Sequence, residues 1–260
     1  MGLLSDMHTP RQNCLLDALP VDIYNLLHPH LELVKLPLGE VLYESGDDLR
    51  YVYFPTNCIL SMLYVLEEGE SAEIAMVDYE GIVGVALFLG GKTMPNRAVV
   101  LIAGYAYRLR AQLVLQMFDQ IEPLLHQLLR YIQVRMTQTA QVALCNRHHS
   151  INMRLCRWLL QCLDRLPGNE LIMTQELIAH MLGVRSEGIT EAAEKLQQAG
   201  AITYRRGHIK VLNRRDLETQ VCECYKVVKS EFDRLLPPVR LGENEARIDI
   251  SSAVKTLPAG

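Results

Sequence analysis

Long apolar runs, a leader segment and paired metal-binding cysteines are all missing from this sequence. No apolar stretch reaches the roughly 18 to 20 residues that a membrane helix needs. The longest, Gly81 to Gly91, is short and interrupted by glycine. The opening Met1-Gly2-Leu3-Leu4-Ser5-Asp6 lacks the basic start and apolar core of a signal peptide. A cytoplasmic protein with no membrane partner is therefore expected. The seven cysteines, at 14, 58, 145, 156, 162, 222 and 224, are odd in number and contain no C-x-x-C pair. That excludes a disulfide framework and a zinc ribbon. Cys222-Glu223-Cys224 is the tightest pair and cannot furnish four ligands alone, so no metal and no cofactor are expected. Serine–histidine–aspartate and phosphate-loop constellations are also missing, which speaks against an enzyme.

What is present is the material for a core: 49% of the 260 residues are apolar and 22% charged. This excludes a disordered or collagen-like chain and fits one large domain or two small ones. The net charge of -4 is unevenly spread. Residues 1–149 carry 10 basic and 16 acidic side chains, whereas residues 150–216 carry 10 basic and 7 acidic. Arg205, Arg206, Lys210, Arg214 and Arg215 lie between Thr203 and Arg215 with no acid among them. A basic patch on an acidic chain suggests one face that meets a polyanion.

From Leu31 to Leu109 the texture is that of strands. Val41-Leu42-Tyr43, Tyr51 to Phe54, Ile59 to Tyr64, Ala72 to Val77 and Ala98 to Ile102 are rich in β-branched and aromatic residues. Pro37-Leu38-Gly39, Ser45 to Asp48, Pro55-Thr56-Asn57, Glu67-Glu68-Gly69 and Gly90-Gly91 punctuate them, as in an all-β roll. From Gln112 the period changes. Ile121, Leu124, Leu125, Leu128, Leu129, Ile132, Met136, Ala140, Ala143 and Leu144 recur at three and four residues, with Pro123 in the first turn. A helix of about 24 residues spans roughly 36 Å, more than one small β domain covers. A second copy of the same helix is the simplest partner, with Leu125, Leu128, Leu129, Ile132 and Met136 as the seam. Asn146 to Ser150 breaks the pattern and reads as a solvated hinge, its histidines and Cys145 included. Ser150 caps a further helix that ends at Pro167-Gly168.

Thr174 to Thr190 carries the most information. Thr174 caps a short helix with Leu177, Ile178 and Met181 inward, small Ala179 is followed by Gly183, and Ile189 comes six residues later. A helix-turn-helix needs those types at that spacing: the small residue for close approach, glycine for the left-handed turn, a branched residue to anchor the second helix. Thr174, Gln175, Arg185, Ser186, Glu187 and Thr190 then face outward where a recognition helix meets bases. Ala201 to Leu212 reads as a hairpin turning at Arg206-Gly207, a wing whose Arg205, Arg206, His208 and Lys210 would meet phosphates.

A β-roll, a long helix, a hinge and a winged helix in this order resemble the cyclic AMP receptor protein and fumarate–nitrate reductase regulator (Crp/Fnr) superfamily. The resemblance covers about residues 16 to 216. It includes Leu36-Pro37-Leu38-Gly39-Glu40-Val41-Leu42-Tyr43-Glu44-Ser45-Gly46-Asp47 in the first turns of the roll, and Gly81-Ile82-Val83-Gly84 where the phosphate cassette begins. It implies an α+β chain in five parts: an N-terminal arm (1–15), a β-roll effector domain (16–111), a dimerisation helix and hinge (112–147), a winged helix-turn-helix (148–216), and a C-terminal helix with a flexible tail (217–260). Val221, Tyr225, Val228 and Phe232 would place that helix against the DNA domain. It further implies a bacterial homodimer on a double-stranded operator, a small-molecule effector near Gly81, Val83, Gly84 and Arg97, and contact with RNA polymerase. The alternative is a sensor or protein-interaction module without specific DNA binding.

Departures from the family pattern sharpen the expectation. Nucleotide-binding members open the cassette with Gly-Glu and close it with Arg-Ser/Thr-Ala; here the order is Glu80-Gly81, and Arg97 directly precedes Ala98. An arginine shifted one place along a strand points to the other face, so cyclic AMP is not the expected effector. Only Cys14 lies where the iron–sulfur branch has several cysteines. In the recognition helix Glu187 keeps its place, while Ser186 and Glu191 replace two arginines, with Arg185 nearby as a partial substitute, so the operator need not resemble the usual half-site.

Overall fold

The computed structural model describes residues 8–117, 121–166 and 168–236. The opening seven residues, residues 118–120, Pro167 and the tail from Pro237 lie outside them. Two short helices, α1 (Cys14–Asp17) and α2 (Val21–Leu27), lead into seven strands: β1 (Glu32–Leu36), β2 (Val41–Tyr43), β3 (Tyr51–Pro55), β4 (Ile59–Val65), β5 (Ser71–Val77), β6 (Arg97–Ile102) and β7 (Gly104–Arg110). They form two antiparallel sheets, ordered β1-β7-β3 and β2-β6-β4-β5. The β4–β5 turn closes at Gly69, whose φ of +89° is open to glycine at no steric cost.

The segment read as an arm is, from His8 onward, part of this domain. Asn13 is fully buried: its amide donates to the carbonyls of Pro55 (3.0 Å) and Gly81 (2.9 Å), while its oxygen accepts from the Leu15 N–H and caps α1. Leu15 and Leu16 enter the core behind it.

Helix α3 (Ala111–Gln116) ends the roll and α4 (Glu122–His148) follows with 27 residues. Its buried stripe is Leu124, Leu128, Tyr131, Val134, Gln138, Val142 and Cys145. The first four belong to the roll core, so the chain's own β domain covers much of this helix. Leu128, expected in the seam, is 1% exposed inside its own chain. A second stripe, Leu125, Leu129, Ile132 and Met136, lies roughly 100° round the helix at 3.6 residues per turn. Leu129 and Met136 on it are 59% and 69% exposed.

The C-terminal half comprises α5 (Ile151–Leu163), β8 (Glu170–Ile172), α6 (Gln175–Leu182), α7 (Ser186–Gln198), β9 (Ile202–Arg205), β10 (His208–Val211), α8 (Arg214–Gln220) and α9 (Cys224–Leu235). Ser150 caps α5 by accepting from Met153 N–H. This half docks on the roll. Ile59, Leu63, Met76 and Leu101 share one apolar cluster with Trp158, Met181 and Leu182.

The expectation for the last helix needs correction. Val221 and Tyr225 do reach the cluster of the DNA domain, but Val228 and Phe232 of α9, with Leu236, join the roll core, and α9 runs along α4. The apolar positions were right, but they divide between the two clusters.

Gly81 shows how tightly α4 sits. A Cβ there would lie 2.7–2.9 Å from the Tyr131 ring, which is buried and donates its hydroxyl to Ile82 O. Gly81→Ala is expected to destabilise the chain by about 1–3 kcal/mol, as overpacking does. Urea unfolding of the two proteins measures it; equal midpoints would contradict the packing.

Candidate nucleic-acid interface

Thr174 accepts from Leu177 N–H at 3.2 Å and starts α6, and Gly183 stops it in the left-handed region at φ +58°. The Val184 amide then reaches back to Ala179 O, turning the chain sharply into α7. Ile178, Ala179 and Met181 on one helix meet Ile189, Ala192, Ala193 and Leu196 on the other. Gly188 lies where α7 crosses α5: a Cβ would sit 2.7 Å from Ile151 Cδ1, the movable end of that side chain.

This packing leaves the N-terminal end of α7 outward. Arg185, the residue before its first turn, is exposed together with Ser186 and Glu187. Thr190 and Gln175 are half-buried, and the Thr190 hydroxyl lies 2.7 Å from Gln175 Oε1. That bond ties the two helices together and takes up part of both side chains' hydrogen-bonding capacity. Glu191 is held by Lys195 at 2.7 Å, one turn on, which keeps its carboxyl below the usual range.

The wing forms as the spacing predicts. Arg206 (φ +49°) and Gly207 (φ +79°) occupy the two central positions of a tight turn, and His208 pairs with Arg205. Ile209 and Val211 point inward, so Arg205, His208 and Lys210 share the exposed face, with Arg206 at the tip. A third strand missed in the sequence, β8, flanks β10 and brings an acid to that face: Glu170 Oε1 lies 3.4 Å from His208 Nδ1. Three residues between a proline–glycine turn and a helix cap carry too weak an alternation to announce a strand. The basic run is also shorter than it reads. Arg214 is turned to Asp164 (2.5 Å), Glu218 (2.8 Å) and the Tyr225 hydroxyl (2.9 Å), so that its charge is paired although the side chain stays part-exposed.

The residues expected around an effector are not gathered into a cavity. Gly81 lies under Tyr131, and Val83 exchanges two 2.9 Å backbone bonds with Tyr53. Gly84, at φ +97°, packs against the Tyr51 carbonyl. Arg97 is on the surface, with Nε donating to Glu44 at 2.7 Å. Tyr43, Met62, Leu87, Phe88 and Ala98 fill the space between the sheets as part of the core.

Two clefts lie instead where the halves meet. One is lined by Glu73, Gln138, Arg157, Trp158, Gln161 and Met181. The other lies among Glu80, Asp164, Arg165, Lys229 and Asp233. Burial pushes Glu80 up to about 7, with Asp233 and Asp164 adding to the rise and Lys229 opposing it. Glu73 is buried in the seam; its carboxylate accepts from Ser61 Oγ (2.5 Å) and Trp158 Nε1 (3.0 Å), and burial raises its pKa. Arg165 pairs with Asp78, and Arg154 donates to the Leu182 carbonyl.

Comparison with known proteins agrees with this architecture. Residues 33–121 match the model of the cyclic nucleotide-binding domain, and residues 153–220 that of the Crp-like helix-turn-helix domain. No curated protein sequence matches the chain. Among solved structures, a putative transcriptional regulator of the Crp/Fnr family from Eubacterium rectale superposes with a TM-score of 0.65 at 18% identity, covering 79% of this chain and 96% of that one. FixK2 from Bradyrhizobium japonicum gives 0.64 at 16%, with 74% and 98% covered. The c-di-GMP responsive global regulator CLP of Xanthomonas campestris gives 0.61 at 16%, with 74% and 99% covered. At such identities the likeness is one of fold. With a cyclic nucleotide-binding domain joined through a long helix to a Crp-like helix-turn-helix and wing, the chain belongs to the Crp/Fnr family of DNA-binding transcription regulators.

Proposed function

We propose that the regulator acts as a homodimer on a two-fold related operator, with α4 as the seam. The observation that carries this is the second stripe of α4. Leu125, Leu129, Ile132 and Met136 follow one another at four, three and four residues, the a/d spacing of paired helices, and large apolar side chains on it stand in solvent. A stripe of this kind repeated across a two-fold axis is self-complementary. Leu128 is left out of the seam, since the roll already covers it.

In this reading Arg185, Ser186 and Glu187 enter the major groove, Arg185 to donate to guanine and Glu187 to accept from cytosine. Thr174, Gln175 and Thr190 support that helix at the groove's edge. Arg205, Arg206, His208 and Lys210 track the phosphates, which supply affinity without a base code. Effector sensing through the roll is part of the proposal, with cyclic AMP not the ligand: Arg97 is bound to Glu44, and an unpaired phosphate inside an apolar core is strongly disfavoured.

Leu129→Glu and Met136→Glu are expected to turn dimers into folded monomers and to abolish binding to a two-fold operator. Sedimentation reads the first and electrophoretic shift the second; dimers persisting in both variants would remove α4 as the seam. Leu128→Glu, by contrast, is expected to unfold the chain.

Arg185→Ala and Glu187→Ala should each change the selected sequence, at a cost of about 1–3 kcal/mol for the bases they contact. Arg205→Ala and Arg206→Ala should weaken all sequences alike and lower the salt slope by about one each. An unchanged selected motif in both α7 variants would take that helix out of the groove.

A further inference from the structure

The segment read as a solvated hinge and the Cys222-Glu223-Cys224 pair meet in space. Cys145 lies on the last turn of α4, and His149 follows four residues later at the end of the same helix, its N–H bonded to Cys145 O. Cys222 and Cys224 flank Glu223 where the α8–α9 turn enters α9, Cys224 being that helix's first residue. The four potential ligand atoms all lie within 4.8 Å of one another. The three cysteines are buried, and the His149 side chain is largely so.

From this geometry we propose that Cys145, His149, Cys222 and Cys224 form a tetrahedral zinc site that clamps the hinge between the two halves of the regulator. Metal–ligand bonds of about 2.3 Å for sulfur and 2.0–2.1 Å for nitrogen imply tetrahedral edges of roughly 3.8 Å between sulfurs and 3.5 Å from sulfur to nitrogen. The structure places Cys145 Sγ 3.6 Å from Cys222 Sγ, and Cys224 Sγ 3.5 Å from His149 Nδ1. Three thiolates and one imidazole suit zinc by softness as well as by number. This compact spacing fits the coordination sphere of one ion.

The surroundings support the same assignment. His149 turns Nδ1 inward while Nε2 faces Glu223 Oε2 at 3.5 Å, the carboxylate–histidine arrangement that orients a metal-binding ring. Gln141 Nε2 donates to Cys224 Sγ at 3.3 Å. Three thiolates around a divalent cation carry one net negative charge, and two buried guanidiniums on the next helix interact electrostatically with Cys145. These are Arg154 and Arg157, each with an Nε that lacks a hydrogen-bond partner.

The ligands come from the end of α4, the hinge and the α8–α9 turn. Zinc would therefore tie the last helix, which is rooted in the roll core, to the point about which the winged helix pivots. Binding releases protons from the thiols and stabilises only the docked chain. The proposal is independent of how the wing and α7 read DNA.

The test uses the full chain purified under reducing conditions. Metal analysis is expected to find about one zinc per chain, and cobalt exchanged into the chelator-stripped protein should show the intense visible bands of tetrahedral thiolate coordination. Cys222→Ser, Cys224→Ser and His149→Asn should cut bound zinc at least tenfold, while Cys58→Ser, outside the cluster, keeps it. Added zinc should raise the midpoint of thermal unfolding in the parent chain and not in the Cys222→Ser/Cys224→Ser double variant. Reduced parent protein that binds neither zinc nor cobalt would overturn the site. So would zinc retained in full by the double variant, or a Cys145–Cys222 disulfide in fresh protein whose reduction gives no metal binding.

Discussion

Helix α4 must satisfy two apolar faces at once, and the remaining structure is arranged around that demand. One face carries Leu124, Leu128, Tyr131 and Val134 into the core of the roll. Burying such side chains contributes about 1.5–3 kcal/mol each, enough that a helix of this length need not stand alone. Gly81 is the accommodation on the roll's side: without a side chain it lets the Tyr131 ring lie flat against the backbone. The other face holds Leu129 and Met136 in solvent. A single helix thus runs from the core of the roll to the start of the DNA-binding half.

The DNA-binding half is seated on β4 and β5 by apolar contact and by a few buried polar groups. Ser61, Glu73 and Trp158 form one chain of hydrogen bonds across the seam, and Arg165–Asp78 closes its edge. Gly183, which the helix-turn-helix needs for its left-handed turn, also lies where any Cβ would come within 3.1 Å of Ala72. Local turn geometry and domain docking therefore rest on the same residue. Because burial raises the Glu73 pKa above its usual 4.5, the docked chain holds that proton more tightly than an unfolded one. Its contribution is present at low pH and declines as pH rises through the raised value.

Helix α9 gives the arrangement its asymmetry along the chain. It leaves the DNA-binding domain and returns to the roll, so that Val228, Phe232 and Leu236 are sequestered far from the elements that precede them in sequence. The polypeptide crosses the domain boundary twice, once through the hinge at His149–Ser150 and once through the α8–α9 turn. Both crossings pass within a few ångströms of each other at the cysteine cluster. Two crossings held together restrict a hinge far more than one.

The local chemistry of this protein was legible in its sequence. Thr174, Ala179, Gly183 and Ile189 specify a helix-turn-helix because capping, close approach and a left-handed turn each admit few residue types. Arg206-Gly207 specifies the wing turn for the same reason, and the three- and four-residue period from Ile121 specifies a long helix. What periodicity could not do was apportion the apolar residues of that helix between faces, since neighbouring stripes of leucine look alike until something covers one of them. Leu128 went to the roll and Leu129 to solvent on that account alone. Arg97 could be seen to be displaced, but its capture by Glu44 depends on two strands meeting. Spacing alone also could not show that Cys145 and His149 meet Cys222 and Cys224, since more than seventy residues of folded chain separate the pairs. That juxtaposition follows from the return of α9 to the roll, where Val228 and Phe232 are buried, and such packing is a property of the assembled surfaces and not of any segment.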